Sequence, residues 1–138
     1  MIIKSFEINK INLKTNKLIL LYGENHGAKE ELTNAIKEKK KVTTDKYFEN
    51  EILANQDSFI ESISSKSFFD NEKLIIIKKV TNKIYKLIEE IIEKNYEELT
   101  LILDAGILEK KSKLRNLFEK NNNLICIAFY PDDQKTLN

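Results

Sequence analysis

The sequence is short of the residues that staple, break or activate a chain. Cysteine occurs once, as Cys126, so no disulfide framework exists. One proline and three glycines leave no material for a Pro- or Gly-rich linker. Histidine also occurs once, at His26, without a nucleophile pattern nearby. A Ser/His or Cys/His triad would have to run through it, so no catalytic residue is assigned. No grouping has the spacing of metal ligands, and neither a metal nor a cofactor is expected. Arg115 is the only arginine, which disfavours bidentate reading of base edges. The net charge of +1 argues for neither nucleic acid nor an acidic surface as a partner. Neither a signal peptide nor an apolar run of membrane-spanning length is seen, so a cytoplasmic protein without a membrane partner is expected.

What remains is a chain of 138 residues, 41% hydrophobic and 33% charged, fit for one globular domain. Its clearest signals are short apolar runs. Leu18–Leu21, Leu74–Val80, Leu99–Leu103 and Leu124–Tyr130 read as buried strands, and Val42–Tyr47 as a weaker one. Cys126 lies inside the last of the four and is expected in the core. Met1–Lys17 has no single period and reads as a short helix or extended lead-in packed on a sheet edge.

Helical patterns fill the gaps. Ala28, Leu32, Ala35 and Ile36 share one face, and that helix ends in Lys37–Lys41, where positive charge suits the dipole. Phe48–Ile63 is helical but interrupted at Asn55–Asp57, which predicts two short helices. Ser58 and Glu61 form a capping-box pattern after the break. Ser64–Asp70 reads as a loop. Thr81 should cap a helix with Ile84, Leu87, Ile88, Ile91 and Ile92 inward. Ile107–Lys120 should be helical, with Leu114, Leu117 and Phe118 inward. Strands that alternate with helices and are apolar throughout imply a parallel sheet covered on both faces, with right-handed crossovers. Ligands of such sheets bind at the carboxyl ends of the strands. Here that rim holds Gly23–Lys29, Lys78, Lys79 and Asp104.

The strand–loop–helix at Leu18–Leu32, LILLYGENHGAKEEL, has the layout of a phosphate-binding loop. The working pattern is G-x-x-x-x-G-K-[ST]. Gly23 and Lys29 fit its spacing. Ala28 stands in place of the second glycine, Gly27 comes one residue early, and Glu30 replaces the Ser or Thr that would hold magnesium. Glu30 would also face phosphate with the wrong sign. Asp104 ends a strand where an ATPase keeps a magnesium-managing acid, but Ala105 follows where a water-activating acid would stand. The reading is a nucleotide site that has lost its chemistry, with Asp104 left structural, as a cap for the next helix. The alternative is an ordinary strand-to-helix turn that uses glycine for backbone freedom.

Four segments carry a family resemblance: LLYGENHGAKEEL at 20–32, SKSFFDNEKLIIIKKVT at 65–81, LILDAGILEKKSKLRNLFEK at 101–120 and AFYPDDQKTL at 128–137. On these the chain resembles the N-terminal domain of the delta-subunit family of the bacterial DNA polymerase III clamp loader. The resemblance covers nearly all of the chain, and the last two segments are the most specific. It implies a three-layer, AAA+-like P-loop NTPase fold over residues 1–138 with a degenerate nucleotide site. It also implies no ATPase activity, and two helical domains of the family that this chain lacks. The implied function is to bind and open the sliding clamp (the beta subunit) beside the motor subunits and delta-prime, reaching DNA through the assembled loader. An apolar residue followed by Phe enters a pocket on the clamp in that family. By motif match the pair is Phe68 and Phe69, with Phe68 where the family usually has Leu. Without the resemblance, Phe69 could tuck under the sheet and leave Phe68 on the surface. Glu109–Arg115 is a basic segment that reads as a solvated helix face or, alternatively, an approach to DNA phosphates. The competing function is a small, atypical P-loop NTPase or kinase, favoured by Lys29 alone.

Overall fold

A computed structural model describes residues 1–15, 17–68 and 72–131. Among the described residues five strands form one all-parallel sheet: β1 (Leu18–Tyr22), β2 (Thr43–Phe48), β3 (Lys73–Val80), β4 (Leu99–Ala105) and β5 (Leu124–Ala128). Their order across the sheet is β2-β3-β4-β1-β5. Between them run α1 (His26–Lys40), α2 (Glu49–Ala54), α3 (Gln56–Phe68), α4 (Tyr85–Lys94) and α5 (Lys113–Lys120). A kinked 3-10 segment, Ser5–Lys10, precedes β1, and Ile2 bridges to Cys126 on the β5 edge. Both forms of the expected lead-in are therefore present.

The central strands are buried along almost their whole length, which is why they read as unbroken apolar runs. Alternate residues feed two cores. Leu20, Ile75, Ile77, Leu101, Leu103 and Cys126 meet the apolar faces of α2–α5. Ile19, Leu21, Ile76, Ile102, Ile125 and Ile127 meet Leu32 and Ile36 of α1, along with Ile3 and Ile11. The result is three layers, helices over and under a parallel sheet. Burial pushes the Cys126 thiol up to about 12, so it behaves as an inert core residue.

This layering follows from the connections. The β1–α1–β2 crossover travels to the far edge of the sheet, while β4–α5–β5 travels the other way, past β1. Right-handed crossovers in opposite directions put their helices on opposite faces. The carboxyl ends of β1 and β4 therefore flank a topological switch point, where open α/β sheets hold their ligands.

Several boundaries differ from the sequence reading. The loop expected at Ser64–Asp70 is helical as far as Phe68; Phe69 and Asp70 lie outside the described residues. Serine is only a mild helix weakener, and without glycine or proline an established helix propagates through it. The break at Asn55 does give two helices, but α3 already begins at Gln56, so Ser58 lies inside its first turn and is not its cap. The helix expected from Ile107 starts only at Lys113. Ser112 is its N-cap: its Oγ accepts from the Arg115 N–H at 3.1 Å and donates to Asn82 Oδ1 at 2.6 Å. Thr81 caps as expected, accepting from the Lys83 N–H at 3.2 Å, though one 3-10 turn, Asn82–Ile84, precedes α4. Strand β5 stops at Ala128 rather than Tyr130.

Candidate functional site

The site is built where β1 hands the chain to α1. Tyr22 closes the strand and Gly23 turns it, at φ 115°. Here the backbone runs against Phe129, so closely that a Cβ on Gly23 would sit 2.1 Å from the Phe129 carbonyl oxygen. Asn25 then caps α1, its Oδ1 accepting from the Ala28 N–H at 3.0 Å. Only Gly23 and Glu24 separate strand from cap. A loop of the G-x-x-x-x-G-K kind would stay open as far as Ala28, whereas this helix begins at His26. The polar loop expected over Glu24–Gly27 is therefore half helix, because Asn25 nucleates the first turn early.

That early start redirects the donors a phosphate would need. The Gly23 N–H donates to Gly106 O at 2.8 Å and the Asn25 N–H to Phe129 O at 3.2 Å. His26 donates to Glu24 O, and Lys29 to Asn25 O. With Ala28 on the Asn25 side chain, five amides between 23 and 29 are already satisfied inside the protein. Gly27 lies on the exposed outer side of the first turn, where a Cβ would meet only Asn25 Oδ1 at 3.8 Å.

Lys29 points inward and is 1% exposed. Its Nζ donates to the Ala105 carbonyl at 2.8 Å and pairs with Asp104 Oδ1 at 2.8 Å. The other carboxylate oxygen of Asp104 is 3.1 Å from Lys78 Nζ, which also reaches Glu30 Oε1 at 3.0 Å. Lys78 and Asp104 are cross-strand partners in the β3–β4 register, so both face α1, which supplies Lys29 and Glu30. Burial pulls the Lys78 ammonium down, but the hydrogen bonds it donates to Glu30 and Asp104, with their negative charge, outweigh it and hold its pKa above the usual lysine value. Two cations and two anions thus close a neutral chain across the switch point.

Gly23, Lys29, Glu30 and Asp104 therefore converge as their spacing suggests, while Gly27 stands apart. The role expected for Asp104, capping the next helix, is not the one observed. No helix starts within seven residues of it, and its carboxylate is held by two lysines. Phe68 ends α3, and Phe69 is outside the described residues. In the basic segment, Arg115 is committed to Glu119 at 2.8 Å and to the Leu108 carbonyl at 2.9 Å, and its guanidinium lies 4.9 Å from the Tyr22 ring centroid. Only residues 113–115 of the segment are helical, so the helix-face reading holds for that part alone.

Above the ion chain lies a crevice of about 580 Å³. Lys29, Asp104 and Ala105 form its buried floor, and His26, Lys46, Phe48 and Lys79 stand exposed at its mouth. Sequence reasoning named Lys78 and Lys79 only as rim residues and missed Lys46 and Phe48. The signal was the end of the run LIIIKKV, where two lysines break an apolar strand before Val80 returns to the core. Among the described residues, no helix is long and apolar enough to cross a membrane. Compared with protein-family models and with curated proteins, the chain matches none.

Proposed function

We propose that this domain is the delta-type, clamp-opening subunit of a bacterial replicative clamp loader, with an AAA+-like fold whose nucleotide site is degenerate. It binds and opens the sliding clamp by protein contacts, without hydrolysing ATP, and works in the cytoplasm beside motor subunits and delta-prime. The resemblance of the four segments named above supports this reading, as does the three-layer parallel α/β architecture. The observation that carries it is the position of Lys29. The residue at phosphate-lysine spacing is committed to Asp104 and the Ala105 carbonyl, at the foot of a loop too short to surround a phosphate. The same observation weighs against the kinase or NTPase reading.

The test is clamp affinity, measured for the domain and for a Phe68→Ala, Phe69→Ala double variant. Central aromatic anchors cost about 2 kcal/mol or more on truncation, roughly a thirtyfold loss of affinity. Binding should collapse while the thermal midpoint stays within a degree or two of wild type. Ile88→Ala is the control: Ile88 is fully buried on the inner face of α4, and its cavity should cost about 2–5 kcal/mol of stability. Clamp binding by the folded fraction of that control should be unchanged. A double Phe variant that binds as well as wild type removes the residue-level basis of the proposal.

Nucleotide supplies a second test. With Glu30 paired to Lys78 and Lys29 to Asp104, calorimetric titration with MgATP should give at best millimolar binding, about 4 kcal/mol. Steady ATP turnover by the purified domain would overturn the reading.

A further inference from the structure

The ion chain on the floor of the crevice is balanced, but its mouth is not. Lys46 and Lys79 are exposed and make no ion pair among the described residues. Phe48 is 45% exposed beside them. Its structural duty is done by its backbone, whose N–H donates to Glu51 Oε1 at 2.9 Å at the start of α2, so the ring is free of it. Lys79 is placed by a β-bulge: the β3–β4 register shifts between Lys78 and Val80, and Lys79 takes the left-handed conformation at φ 55°. Without the bulge, alternation would turn Lys79 into the core that Ile77 and Val80 share. With it, Val80 stays buried and the lysine is delivered to the mouth of the crevice.

We propose that this rim binds single-stranded nucleic acid, one base stacking on Phe48 and the flanking phosphates on Lys46 and Lys79. An exposed ring between point charges is the sequence-tolerant way to hold a single strand. An acidic peptide fits less well, because carboxylates are best recognised by the arginine fork. The only arginine is engaged with Glu119, Leu108 and Tyr22, away from this rim. A duplex fits less well too, since its bases are already stacked and cannot use the ring. The inference does not rest on the clamp reading, because it uses residues that play no part in it.

Fluorescence anisotropy with a labelled oligothymidylate, at low salt and then over a salt series, tests it. Two phosphate contacts on a single strand predict a log–log salt slope of about −1.4. Lys46→Gln and Lys79→Asn should each reduce the steepness by about 0.7, and asparagine keeps the bulge because it tolerates the left-handed region. Phe48→Ala should weaken binding roughly tenfold with the slope unchanged. Lys94→Gln, at the far end of α4, should change nothing. No binding at low salt, equal losses from the Lys94 variant, or tighter binding of an oligoglutamate by the same rim would each overturn the proposal. Clamp affinity of the Phe48→Ala variant should match wild type, which keeps this test separate from that of the clamp reading.

Discussion

Asp104→Ala is expected to lower the stability of the domain by about 3–5 kcal/mol, the cost of removing one partner from a buried ion pair. The reason is Lys29. Its ammonium is almost sealed from water and has two neighbours, the Asp104 carboxylate and one backbone carbonyl. Without Asp104 a buried charge is left with a single dipole. Lys78 suffers less, because it is nearer solvent and keeps Glu30, itself half exposed and worth little. Had Asp104 been a helix cap, as its place in the sequence suggests, the same substitution would cost about 1 kcal/mol. Urea denaturation separates the two outcomes easily. The paired variant Lys29→Met, Asp104→Leu should recover much of the loss, since an apolar pair can replace a buried salt bridge at little cost. A double-mutant cycle should then give a coupling near the top of the usual range of about 0.5–3 kcal/mol. A loss of 1 kcal/mol or less for Asp104→Ala would mean that water reaches Lys29 and that the ion chain is not a closed unit.

That contrast marks where the sequence was legible. The strands could be read because a parallel sheet covered on both faces selects apolar runs, and the stretches 74–77 and 101–103, LIII and LIL, are such runs. The helices could be located by periodicity, but their ends could not, because ends are fixed by single caps. Asn25 and Ser112 moved two of them: α1 starts early and α5 late. The first shift matters most. Spacing correctly placed Gly23, Lys29, Glu30 and Asp104 on one rim. Spacing says nothing, however, of whether a loop stays open, and Asn25 closes this one. The direction of Lys29 was hidden for the same reason, since a lysine at the foot of a helix can turn to a ligand or to a carboxylate. Phe48 escaped notice because it falls where a strand pattern becomes a helix pattern, and neither period predicts its exposure.

Gly23→Ala carries the other large effect, with an expected loss of more than about 4 kcal/mol, a range reached by few mechanisms. Two costs combine. At φ 115° a side chain is strained, by about 1–3 kcal/mol. The new Cβ would also lie 2.1 Å from the oxygen and 2.7 Å from the carbon of the Phe129 carbonyl. Both are backbone atoms, so no rotamer change relieves the overlap. Pushing Phe129 away would strain its N–H bond to Tyr22 O, at 2.7 Å, and the bond from the Asn25 N–H that positions the helix cap. Damage should therefore spread to the β1–β5 pairing and appear as weakened amide protection along both strands. Gly27→Ala is the comparison that gives the result meaning. Its Cβ would make only an ordinary van der Waals contact, with Asn25 Oδ1 at 3.8 Å, and lies in the first turn of α1, so it should raise stability by up to about 1 kcal/mol. A glycine loop kept for phosphate would need backbone freedom at both positions and would lose stability at both. Opposite signs at the two glycines would show instead that Gly23 is fixed by close packing against Phe129 and that Gly27 is simply a helical residue.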